Sequence, residues 1–140
     1  MNMTKHHTHL LAPVLDQLDR LPLECDGMTC LISALLSRAD IAHTVGVGGI
    51  YHVPSGRNMA PHLWIDLADG YRVDYRVRMW FRNLDGIPHG IFRPADWPHV
   101  RHEGQQTPAF DADDQNAAIL ALSEGLDLDD LAQKLRNLVQ

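Results

Sequence analysis

The chain has 140 residues, 45% hydrophobic and 21% charged, the balance of a globular protein long enough to bury a real core as one domain spanning 1–140. A formal net charge of −6 argues against nucleic-acid binding, and no run approaches the ~18 apolar residues of a membrane span. Two cysteines are too few for a disulfide framework and lack zinc-type spacing. No apolar segment followed by a cleavage site opens the chain, so a reducing cytosol is the expected compartment.

Residues 1–9 are polar and His-rich, and are expected to be flexible. Leu10, Leu11, Val14, Leu15 and Leu18 recur at helical spacing, which predicts a short amphipathic helix ending near Arg20–Pro22. A second helix is predicted from Cys25 or Asp26 to Arg38, with Met28, Leu31, Ile32, Leu35 and Leu36 as its apolar stripe. The period then changes. Residues 44–53 are β-rich and softened by glycine, residues 54–58 read as a loop, and residues 62–67 alternate as a strand. That alternation sets His62, Trp64 and Asp66 on one face, with Leu63, Ile65 and Leu67 on the other. Ala68-Asp69-Gly70 is a turn signal, and residues 71–77 alternate again, so a β-hairpin is predicted. Residues 83–110 carry four prolines with little periodicity and read as a long loop. The acidic stretch Asp111–Asp114 opens a C-terminal helical segment over 111–140, with a helix over 117–122 interrupted at Gly125 and a final amphipathic helix marked by Leu128, Leu131, Leu135 and Leu138. The whole is an α+β arrangement: a central helix with Cys at its N-terminus, packed on an antiparallel sheet and followed by C-terminal helices.

The stretch LECDGMTCLISALLSRADI, residues 23–41, poses a chemical question. A nucleophilic thiol must ionise, and a helix N-terminus or a neighbouring His favours the thiolate. Cys25 stands at the predicted helix start, whereas Cys30 sits in the helix body among Leu31, Ile32 and Ala34 and reads as a small packing residue. Glu24 and Asp26 oppose ionisation of Cys25, so activation needs a basic partner; without one it is an inert helix-start residue. His62 and Asp74 fall on consecutive strands, where they form either the base and orienter of a triad or a cross-strand surface pair. Trp64, on the same face as His62, is either a substrate-groove wall or a half-buried strand aromatic.

Cys25 in Glu-Cys-Asp-Gly, Ile41 beyond the helix, and His62-Leu63-Trp64-Ile65-Asp66 followed by Asp74 together resemble the transglutaminase-like branch of the papain-like cysteine protease superfamily. The resemblance covers residues 23–78. It departs at Asp40-Ile41-Ala42-His43, where the family has Gly-Ile-Pro, and at Asp74-Tyr75-Arg76, where it has Asp-Pro-Thr. It implies a small cysteine hydrolase (protease or amidase) or acyl-transfer enzyme, with a Cys25–His62–Asp74 triad working through a thioester on a peptide, protein or small amide. The other reading is a catalytically inactive binding or adaptor module on that scaffold, with its groove formed by the loop after residue 82.

No cofactor is expected, and no dedicated metal site. His6, His7 and His9 could take a metal adventitiously, and His99 and His102 lack a third ligand. Arg72, Arg76, Arg78 and Arg82 form the one basic cluster, either a solvated strand face or a seat for an acidic ligand.

Overall fold

The computed structural model describes residues 5–110, 119 and 121–139. Leu11, Val14, Leu15 and Leu18 are all buried along helix α1 (Lys5–Leu15) and the 3-10 turn Asp16–Leu18 that continues it. Residues 5–9, expected to be flexible, are helical. Thr8 is fully buried and its hydroxyl donates to the Asp69 carboxylate, fastening this end of α1 to the turn after residue 67.

Helix α2 runs Cys25–Arg38 and buries the whole predicted stripe. It ends where Asp40 takes a left-handed conformation (φ 58°) and the Ile41 N–H bonds the Leu36 carbonyl at 2.9 Å. Glycine is usual at such a helix end, but a short polar side chain tolerates it. That accounts for a residue other than glycine at this helix end.

Five antiparallel strands follow: β1 (His43–His52), β2 (Arg57–Leu67), β3 (Arg72–Asp74), β4 (Gly90–Phe92) and β5 (Val100–Pro108), in the order β4-β3-β2-β1-β5. Two of them lie in the segment predicted to be one long loop. β5 is an edge strand of largely exposed Arg, Glu, Gln and Gly, so it carries no apolar alternation to betray it. The strand predicted over 71–77 stops at Asp74, and Val77–Trp80 form a single helical turn, α3. The acidic helix start at 111–114 lies outside the described residues. Helix α4 (Leu128–Val139) buries Leu128, Leu131 and Leu135 as predicted, packing against α1 and α2. The architecture is thus mixed α+β, with the helix bearing Cys25 packed against the sheet. Among the described residues no helix is long and apolar enough to cross a membrane.

One property of the sheet positions everything that follows. Between β3 and β5 lie two strands, so Asp74 and His102 would stand about 14 Å apart in a flat sheet. Their side chains are hydrogen-bonded, so the sheet must curl towards the face that carries them. Glycines line that face. Gly46 pairs with Trp64 and Gly48 with both His62 and Gly104. A Cβ on Gly46 would lie 2.1 Å from the Trp64 indole, and one on Gly104 would lie 2.1 Å from the Val47 carbonyl oxygen.

Because backbone cannot yield as a flexible side chain can, Gly104→Ala should destabilise the fold by about 2–3 kcal/mol. The check is the urea midpoint at constant slope; an unchanged midpoint would show that the close approach of β1 and β5 is not required.

Candidate functional site

Asp74 ends β3. Extending the β2–β3 register from Ile65↔Val73 puts it opposite Trp64 and diagonal to His62, within reach of a long side chain. His62 Nε2 donates to Asp74 Oδ2 at 2.6 Å. His102 Nε2, arriving from β5, donates to the same oxygen at 2.8 Å. The second carboxylate oxygen, Oδ1, accepts the Arg76 backbone N–H at 2.9 Å. His62 is 0% exposed and Asp74 3%, and the His102 side chain is 1% exposed. The ligating atoms of these three residues all lie within 4.8 Å of one another.

Aromatic rings hold the imidazoles in place. Trp64 stacks on His62 with centroids 6.3 Å apart and meets His102 edge-on at 5.0 Å, while Phe92 lies 6.1 Å from His102. Trp64 is itself 1% exposed, so it walls the buried cluster and not an open groove. Asp66, on the same strand face, is committed elsewhere: it accepts from Trp64 Nε1, the Arg72 guanidinium and Gln106.

Burial alone would neutralise Asp74, but hydrogen bonds from His102 and His62 outweigh it and hold the carboxyl well below its usual range. The two histidines diverge. Burial works against a charged His62, yet the bond to Asp74, with Cys25 nearby, raises its pKa to about 9. For His102 burial prevails, helped by Arg72 and by His62 itself, and the pKa falls. At neutral pH the cluster is therefore a carboxylate between one imidazolium and one neutral imidazole.

This arrangement overturns the cysteine-hydrolase reading, together with its catalytic triad and thiol nucleophile. Among the described residues the compact cluster is His62–Asp74–His102, and neither cysteine belongs to it. Cys25 opens α2 as predicted, but its thiol is buried, and Cys30 is the more exposed of the two. Cys25 is near enough to raise the pKa of His62. The thiol is close enough to contribute to that rise as a hydrogen-bonding neighbour, yet among the described residues His62 Nδ1 has no partner in hydrogen-bonding geometry. Asp74, moreover, does not serve His62 alone. A dedicated nucleophile–base–orienter line is not what these residues form.

Sequence reasoning overlooked His102, which it grouped with His99 for want of a third ligand. His99 instead bonds the Gly86 carbonyl. The available signal was the glycine pattern at 46, 48 and 104, which lets the sheet curl and brings β5 to β3.

Of the arginine cluster, Arg72 is held by Asp66 and lies 5.6 Å from the Trp64 ring centroid. Arg76 is buried: its guanidinium binds Asp19 Oδ1 and the carbonyls of Asp19, Leu21, Leu23 and Tyr75. No protein-family model matches the chain, and comparisons with curated proteins and with solved structures likewise return no match.

Asp74→Asn should cost roughly 3 kcal/mol, because it removes the buried anion that two imidazoles and a backbone N–H require. A loss under 1 kcal/mol in urea unfolding, taking about 0.5 kcal/mol as an ordinary surface change, would deny it that role. The His62 pKa makes a separate statement about pH. Folding raises it from 6.5 to about 9, so its stabilisation is fully present below 6.5 and is lost as pH rises through about 9. In chelator-treated protein, stability should fall by about 3 kcal/mol between pH 7 and 10, and His62→Gln should remove most of that slope. The same slope in wild type and variant would contradict the assignment.

Proposed function

We propose that the chain is a non-catalytic binding module, on a scaffold similar to that of transglutaminase-like proteins, whose site holds a divalent transition-metal ion of the zinc class. One observation carries the reading: two imidazole nitrogens and a carboxylate oxygen, from three different strands, converge in a buried cluster. Two nitrogens and one oxygen suit such an ion.

The fit is close. Tetrahedral bonds of about 2.0–2.1 Å put ligand atoms about 3.3 Å apart, against the present 2.6 and 2.8 Å. The two pairs have to open by about 0.7 and 0.5 Å, with the ion replacing the two bridging protons. A metal on His62 Nε2 requires the ring proton at Nδ1, the atom that has no hydrogen-bond partner among the described residues. Three protein ligands leave one position for a further ligand. Cys25 and Trp64 border the site, the one beside His62 and the other stacked on it. The amide substrates expected of a hydrolase have no place in this reading.

Calorimetric titration with zinc tests it, using a protein in which His6, His7 and His9 are replaced by Ala to remove adventitious binding. One equivalent should bind with micromolar or tighter affinity. His102→Ala should weaken that binding by about 100-fold or more, at least the cost of losing an outer-shell partner. No binding, or binding indifferent to His102, would mean that the cluster is purely a hydrogen-bonded part of the core.

A further inference from the structure

A second feature makes no use of the His62, Asp74 and His102 side chains. The segment leading into α2 and the turn α3 flank an open, shallow cleft of ≈ 510 Å³, within the size range of small-molecule sites. The inactive-module reading put a groove after residue 82; this cleft lies before it, between residues 21–24 and 75–82.

Its lining is divided by chemistry. Leu21, Pro22, Leu23 and Met79 supply apolar surface, and Arg78 and Arg82 supply cations. The third arginine there, Arg76, is neutralised by Asp19 at 2.6 Å and spent on backbone carbonyls. Among the described residues Arg78 bonds through its Nε alone, to the Ile87 carbonyl, and neither it nor Arg82 appears in an ion pair. Glu24 is the one carboxylate in the lining. On a chain of net charge −6, two exposed guanidinium groups over an apolar floor make a local reversal of sign. A guanidinium fork matches a carboxylate in shape and charge, and the apolar floor matches a hydrocarbon tail.

We infer that this cleft binds a small amphiphilic carboxylate, its head on Arg78 and Arg82 and its tail on Leu21, Pro22, Leu23 and Met79. The inference does not depend on the metal site, and its test is run in the presence of a chelator. Calorimetry with decanoate should show saturable binding below the micelle concentration. Decanol and decyltrimethylammonium should bind about tenfold more weakly or not at all, the price of losing a charge-assisted hydrogen bond. Arg82→Glu, an exposed change that leaves the core intact, should weaken decanoate by at least as much, while Arg101→Glu, an exposed change on β5 outside the cleft, should leave it unchanged. Equal binding of decanoate and decanol, no effect of Arg82→Glu, or no decanoate binding at all would overturn the proposal.

Discussion

A single buried carboxylate holds the architecture around the site together. Asp74 accepts from a histidine on β2, a histidine on β5 and the backbone N–H of Arg76, so its two oxygens join three strands and the start of the loop that follows. A carboxylate this deeply buried is tolerable only because those donors replace its lost hydration and one of them carries a compensating charge. The curl of the sheet is the geometric condition for that replacement. Without the close approach of β1 and β5 at Gly48 and Gly104, His102 does not reach Asp74.

Next along the chain, Arg76 does the same service for the segment that leads into α2. Its guanidinium gathers the carbonyls of Asp19, Leu21 and Leu23 and pairs with the Asp19 carboxylate, which His89 also binds. These contacts tie residues 19–23, the strap into α2, to the end of β3. Cys25 thus comes to lie beside His62 through a network whose demands are met by backbone and carboxylate. Burial of the thiol is a consequence of how firmly that strap is drawn in.

Much of this was legible in the sequence, and the rest was hidden for identifiable reasons. The stripe Met28–Leu36 and the alternation from His62 to Leu67 declare α2 and β2, because each element buries one face and local periodicity records it. The pairing of His62 with Asp74 was legible too, being a contact between hairpin neighbours. His102 was not, since its contact crosses two intervening strands and depends on sheet curvature, a property carried by glycines and not by any motif. Arg76 reads in sequence as one of four surface arginines; only the tertiary path of residues 19–23 makes it a buried clamp. For Cys25, local pattern locates the helix start but says nothing of exposure, which the strap decides. The resemblance to transglutaminase-like proteins rested on the order of Cys, His and Asp, and that order does not reveal that the Asp is shared with a second histidine.

The central claim is that His62, Asp74 and His102 form a metal-binding centre to which the cysteine does not contribute. X-ray absorption at the zinc edge on the one-equivalent complex addresses it directly. The account predicts two imidazole nitrogens and a carboxylate oxygen at about 2.0–2.1 Å and no sulfur in the coordination shell. A sulfur scatterer at about 2.3 Å would place Cys25 or Cys30 on the metal and contradict it.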